Sequence, residues 1–361
     1  ISSGLVGSEM CIRDSASRNK VRTSKDNQKV HPRAMQSRAY ITWKESSVQD
    51  WLKQLKKLPE PPTPEHMAFL QRVVDRCRQE HNSLRNPRTQ IFEEEPVRDC
   101  LLGIPGAGKS SCIKLLRRFF EECLCWEDGV QFQFLAIQNT MAALIGGKTI
   151  HSFGTIPVNS TDAMNKGTSK SADGDVDELF LQVLGMRWII IDEISTVSPE
   201  LLGLLDLYLR RACSRHPFLR RPHGASKRPF GGINIIFAGD FWQLTPVKSI
   251  SLFANPLKKG PTPYTAQEQK ILKMFWNNDD VDSIQKTWLL TKALRSKDAW
   301  LNAVLEASRY GNESYEMYCF NHGWPTRNPG SWMPSTNSLG CGTEACQKLS
   351  DTWTEMWKRG K

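Results

Sequence analysis

The run Gly103-Ile104-Pro105-Gly106-Ala107-Gly108-Lys109-Ser110 meets the pattern G-x-x-x-x-G-K-[ST] at every fixed position. Each residue type has a chemical reason. The glycines Gly103, Gly106 and Gly108 let successive backbone N–H groups turn toward one phosphate without a Cβ in the way. The helix expected next directs its positive end at the same anion. Lys109 brings a mobile charge to the β- and γ-phosphates, and the Ser110 hydroxyl is a ligand for Mg²⁺. Ala107 and Ser111 complete the stretch that wraps the phosphates. The implied ligand is ATP·Mg²⁺.

A second element is Ile189-Ile190-Ile191-Asp192-Glu193. A carboxylate at the end of a buried strand holds Mg²⁺ directly or through water, which is the role expected of Asp192. The next carboxylate, Glu193, is placed to orient and deprotonate an attacking water. That acid favours hydrolysis over phosphoryl transfer to a second substrate. A third element, Gly239-Asp240-Phe241-Trp242-Gln243-Leu244, follows another apolar run. Gln243 is neutral and suited to touch the γ-phosphate or position water; its plainer reading is an amide that closes a turn.

These residues need a frame. Short apolar runs at Cys100–Leu102, Phe132–Ile137, Trp188–Ile191 and Ile233–Ala238 read as strands. Helices are expected at Ser110–Cys123, around Thr140–Ile145 and over Ala299–Ala307. One more starts near Glu65, with Met67, Leu70, Val73, Val74 and Cys77 on one face. Apolar strands separated by helices predict an α/β fold, a parallel sheet covered by helices on both faces. In such sheets ligands bind at the carboxyl ends of the strands, where all three polar elements fall.

The 361-residue chain is 39% hydrophobic and 24% charged, and no apolar run approaches the ~18 residues of a membrane span. Its net charge of +10 favours a polyanionic partner over a merely solvated basic tail. The ten cysteines are scattered and read as reduced thiols of an intracellular protein rather than a zinc site. Residues 1–60 read as a disordered basic tail ending in a Pro-rich linker; Ile1–Ser15 resembles a translated sequencing adapter and is set aside. Residues 157–175 and 210–228 read as surface insertions, the latter with seven Lys/Arg and no acid. Residues 61–312 form the expected ATPase domain, and 313–361 an irregular C-terminal extension.

Assembled, these elements resemble the Pif-type DNA helicases, superfamily-one motors that move 5′ to 3′ on single strands. The similarity runs from about Pro64 to Asn312. It includes GIPGAGKS, NTMAALIGGKTIHSFG (Asn139–Gly154), IIIDEISTVSPELL (Ile189–Leu202), PFGGINIIFAGDFWQLTPV (Pro229–Val247) and LLTKALRSKDAWLNAVLEASRYGN (Leu289–Asn312). The resemblance implies a RecA-like P-loop fold and ATP and Mg²⁺ as cofactors. It gives the ATPase roles to Lys109, Ser110, Asp192, Glu193 and Gln243, and it brings Arg295 to the γ-phosphate. Thr140 and the element Thr149–Phe153 match the region that lines single-stranded DNA. There Thr149, His151 and Ser152 are able to bond phosphates, and Phe153 either stacks a base or packs in the core. The basic stretch with Arg220, Arg221, Lys227 and Arg228 is a candidate electrostatic track for DNA, or else a solvated loop.

The sequence departs from the family in places. His66 stands where a glutamine usually reads adenine, Met141 replaces a glycine, and Thr245 replaces a proline. The family also carries a second RecA-like domain, and nothing after Asn312 matches it. The expectation is a helicase fragment that binds ATP, hydrolyses it slowly and does not unwind duplex. The whole protein is then expected to act on single strands and duplex junctions, in repair, recombination or telomere maintenance, with no membrane association. Its compartment is left open between nucleus and mitochondrion. A single-domain, nucleic-acid-binding ATP switch is the alternative.

Overall fold

Residues 132–136 and 188–191 are uninterrupted buried runs, so neither strand has a face for water. Only a sheet covered on both sides accommodates them. The computed structural model describes residues 43–84, 94–157, 178–213, 227–257, 264–277, 280–296, 298–315 and 317. Its strands are β1 (Arg98–Gly103), β2 (Phe132–Ala136), β3 (Lys148–Thr149), β4 (Trp188–Ile191), β5 (Asn234–Gly239) and β6 (Lys286–Leu290). They form one six-stranded sheet in the order β3-β2-β4-β5-β1-β6, with every pairing parallel.

The helices are α1 (Glu45–Leu55), α2 (Pro64–Leu84), α3 (Lys109–Arg118), α4 (Asn139–Leu144), α5 (Ile150–Gly154), α6 (Pro199–Ala212), α7 (Ala266–Trp276) and α8 (Ala299–Tyr310). One apolar cluster joins α1, α2 and α3 to one side of the sheet. A second joins α5, α6 and α7 to the other side. Strand β5 pairs with both β1 and β4, so the carboxyl ends that carry the phosphate loop and Asp192 lie on either side of it. The expected α/β, RecA-like sheet with helices on both faces is the observed architecture.

Three elements differ from the sequence reading. Residues 45–55, placed in a disordered tail, are a helix whose Val48, Trp51, Leu52 and Leu55 are buried at helical spacing. The Trp51 ring lies 5.1 Å from that of Phe119. The expected helix to Cys123 changes at Phe119 into one π-helical turn, Phe119–Cys123, which buries Phe119 and Phe120. Strand β6 adds a sheet edge beyond β1 that no apolar run announced. The N-terminal tail before residue 43, most of the insertion at 157–175, the core of the 210–228 stretch and the C-terminal extension from 318 lie outside the described residues.

At the amino ends of the strands a buried polar cluster fixes the base of the sheet. Glu80 on α2 accepts from Arg76 at 3.0 Å, from Arg187 at 2.7 Å and from the Asn234 amide at 2.8 Å. The Asn234 carbonyl oxygen in turn accepts the Val97 N–H at 2.9 Å. Burial opposes the charge on Glu80, but the arginines and the amide overcome it and hold the carboxyl below its ordinary range. Cys77, Cys100 and Cys112 are buried as small apolar side chains, and burial pushes the Cys112 thiol up to about 12. Among the described residues no helix is long and apolar enough to cross a membrane.

Candidate nucleotide site

Strand β1 delivers the chain into the loop Gly103–Ser110, and α3 starts at Lys109. Gly106 and Gly108 take φ of +79° and +88°, a region that a side chain at either position would strain. A Cβ on Gly106 would also sit 2.9 Å from Cβ of Arg295. The resemblance implies a place for Arg295 near the γ-phosphate, and the structure sets it against the loop apex: the N–H groups of Leu294 and Arg295 donate to the Gly106 carbonyl at 2.8 and 3.2 Å. Ser110 and Ser111 are exposed in the first turn of α3.

His66, expected among the nucleotide-binding residues, lies against the loop. Its Nδ1 accepts the Thr63 N–H at 3.2 Å, so its Nε2 carries the proton and donates to the Ala107 carbonyl at 3.0 Å. Both ring nitrogens are engaged with protein. His66 thus braces the phosphate loop from the start of α2. Burial keeps its pKa low and the ring neutral. Its neighbour Glu65 accepts from Thr291 N–H and hydroxyl at 3.1 and 2.8 Å. One helical turn thus holds both the loop and the end of β6.

The Lys109 ammonium donates to the Gly103 and Ile104 carbonyls at 2.8 and 3.3 Å. Burial lowers its pKa, and the charges of Asp240, Glu193 and Asp192 act against that. The three polar elements found in the sequence follow the carboxyl ends of β1, β4 and β5, and β5 pairs with both of the others. Asp192 is 8% exposed, and burial pushes its carboxyl up to about 6, with the Glu193 charge adding to the effect and Lys109 opposing it. A buried carboxylate of raised pKa suits a divalent cation, which would supply the charge that burial denies it.

Glu193 stands at φ +53°, ψ +45°, left-handed backbone that is uncommon for a side chain of its size. Along a regular strand, neighbouring side chains point to opposite faces. The turn at Glu193 breaks that alternation, and both carboxylates act on Lys109. The Glu193 N–H donates to Asp192 Oδ1 at 3.0 Å, and the Thr196 hydroxyl donates to the Glu193 carbonyl at 2.7 Å.

Beyond β5, Asp240 is 1% exposed and organises the third loop. It accepts the Trp242 N–H at 3.1 Å and the Gln243 amide at 3.3 Å. It also receives both guanidinium nitrogens of Arg309 on α8, at 2.5 and 2.7 Å. Burial raises the Asp240 carboxyl, but the Arg309 hydrogen bonds outweigh it and hold the group below the ordinary range. The sequence reading passed over Asp240 and Arg309. The only signal was an arginine two residues before Gly311, which reads as an ordinary basic residue in a helix's last turn.

The residues read as DNA-facing divide. Thr140 and Ser152 are exposed, and Thr149 caps α5 by accepting the Ser152 N–H at 3.1 Å. His151 is half-buried, with its pKa lowered by burial. It lines a groove of about 640 Å³ with Gln138, Thr196, Ser198 and Lys248. Phe153 is 1% exposed and packs in the core, which removes it as a stacking platform. Arg228 is fully buried, with Nε 3.1 Å from Glu95, and so is a structural ion pair rather than part of a basic track. Lys227 is exposed, while Arg220 and Arg221 lie outside the described residues.

A sequence model of the family described as PIF1-like helicase matches residues 101–255. The ATP-dependent DNA helicase RRM3 of Saccharomyces cerevisiae is 30% identical over 249 residues, 66% of this chain and 30% of that protein. The ATP-dependent DNA helicase PIF1 of the same species is 34% identical over 182 residues, 47% of this chain and 16% of that protein. A crystal structure of Pif1 helicase from Candida albicans aligns at 21% identity and a TM-score of 0.48, over 75% of this chain and 49% of that one. The chain therefore spans under a third of the two curated relatives. The family match begins within β1 and takes in the phosphate loop, the Asp192-Glu193 strand end and the Asp240 loop, and over this stretch the chain is similar to the PIF1-like helicases.

Proposed function

We propose that the chain is the ATP-binding motor portion of a DNA helicase that couples ATP hydrolysis to movement on single-stranded DNA. The observation that carries this reading is that the phosphate loop, Asp192-Glu193 and Asp240 follow the carboxyl ends of β1, β4 and β5, parallel strands of which β5 pairs with both others. In this reading the loop N–H groups and α3 hold the triphosphate, and Lys109 leaves its own loop carbonyls for the β- and γ-phosphates. Ser110 and Asp192 would hold Mg²⁺, whose charge would offset that of the phosphate oxygens. Glu193 orients the attacking water, and Gln243 and Arg295 approach the γ-phosphate. His151 lines the groove in which a single strand would run, and the exposed Thr140 and Ser152 would contribute to holding it. Duplex junctions as substrates, a second motor domain, a place in repair or recombination, and a nuclear or mitochondrial setting belong to the same proposal.

Titration calorimetry with ATP·Mg²⁺, on the chain and on Lys109→Ala, tests it. Removing the ammonium is expected to weaken binding ~30- to 1,000-fold, the usual loss when a buried charge partner is truncated. The fold should remain intact by circular dichroism. Equal affinity in the two proteins removes Lys109 from the site and the reading with it.

A further inference from the structure

Helix α8 is attached to the domain in an unusual way. It starts at an Asp298 cap and ends at Gly311 with φ +67°. Its buried residues Trp300 and Val304 form a small apolar cluster with Met317, separate from the two clusters that cover the sheet. What ties it to the nucleotide site lies at its two ends, and at the second end the Tyr310 ring also meets that of Trp242, 5.8 Å apart. Before its first turn, Leu294 and Arg295 bond the Gly106 carbonyl of the phosphate loop. In its last turn, Arg309 grips Asp240 through two charge-assisted bonds, the strongest geometry such a pair has. The same Asp240 carboxylate accepts the Gln243 amide through a longer bond of 3.3 Å.

We propose that Arg309 is a positioning residue that couples the Gln243 loop to α8. The inference rests on the nucleotide reading above. When Gln243 turns to a γ-phosphate, it gives up its bond to Asp240. The Arg309 fork keeps Asp240, and hence the loop backbone, in place. The two end attachments make α8 a strap across the site, and α8 leads directly into the chain that follows residue 312. Nucleotide occupancy is thereby felt along the whole helix.

Hydrogen–deuterium exchange of the full chain, with and without the non-hydrolysable analogue AMP-PNP and Mg²⁺, tests the coupling. In the wild type, the analogue should slow exchange both in residues 103–118 and in 299–310. In Arg309→Ala, the dissociation constant should move by less than about threefold and protection of 103–118 should persist, while protection of 299–310 is lost. The turnover number should fall ~10- to 100-fold with little change in KM, the size expected of a misplaced catalytic loop. Arg309→Lys, which keeps the charge but not the fork, should recover part of both effects. It carries the same comparison if the alanine variant does not fold. Equal protection of α8 in variant and wild type overturns the coupling, as does a wild type that binds analogue without any change in α8. A wild type that binds no nucleotide refutes the ATP reading instead.

Discussion

Asp192 offers a quantitative test of the metal-binding assignment. Its carboxyl is pushed from the ordinary 3.8 to about 6, chiefly by burial. At about 1.4 kcal/mol per pH unit, holding Asp192 charged in the fold costs ~3 kcal/mol relative to the unfolded chain. The sign follows from the raised folded value. The favourable contribution is complete below about pH 4, where the group is protonated in both states, and is lost as pH rises through 6. Asp192→Asn removes the charge and keeps an oxygen for the Glu193 N–H, so the backbone turn survives. In EDTA at pH 8 the variant should be more stable than the wild type by ~2–3 kcal/mol, an advantage that shrinks toward zero near pH 4. In a domain of this size that is a rise in Tm of ~5–10 °C. Adding ATP·Mg²⁺ should stabilise the wild type and leave the variant nearly unmoved, reversing the order. Urea unfolding at pH 4.5, 6 and 8, each with EDTA and with ATP·Mg²⁺, measures all of this. A variant no more stable than the wild type at pH 8, or a difference independent of pH, refutes the assignment of a strained carboxylate awaiting a cation.

Two further outcomes follow from the same geometry. His66→Ala removes the brace under Ala107 and should weaken ATP·Mg²⁺ binding ~10-fold through a looser loop, because one buried hydrogen bond and its packing are worth ~1–2 kcal/mol; calorimetry reads it, and unchanged affinity would separate His66 from the loop. Arg228→Ala breaks a buried ion pair with Glu95 and should cost ~3 kcal/mol of stability. In folded variant protein, fluorescence anisotropy should show DNA affinity and its salt dependence unchanged. A flattened salt slope would return Arg228 to the DNA surface.

What the sequence disclosed depended on how local each signal was. Strands β2, β4 and β5 were legible because burial on both faces writes a continuous apolar run. Strand β6 was not, because it is an edge: Lys286, Thr287 and Leu289 are exposed and only Leu290 is buried. Helix α1 was hidden because Lys53, Lys56 and Lys57 made its surroundings resemble the basic tail. The phosphate loop and Asp192-Glu193 are each contiguous in the chain, so their chemistry was visible at once. The pairs that the reading missed or misassigned join distant residues: Asp240 with Arg309, 69 positions apart, Glu95 with Arg228, 133 apart, and His66 with Ala107, 41 apart. A positive charge in a basic run reads as surface until its partner is known. For Arg228 the partner was an acid on the far side of the sequence.

The left-handed backbone at Glu193 has a consequence for how this position varies. Glycine fits that conformation without penalty and asparagine with little, whereas glutamate bears ~1 kcal/mol or more. Selection for folding alone would therefore drift position 193 toward glycine, and the water-activating role proposed for Glu193 would oppose that drift. In a library of all substitutions at this site, a screen for abundance and a screen for turnover should rank the amino acids in opposite orders.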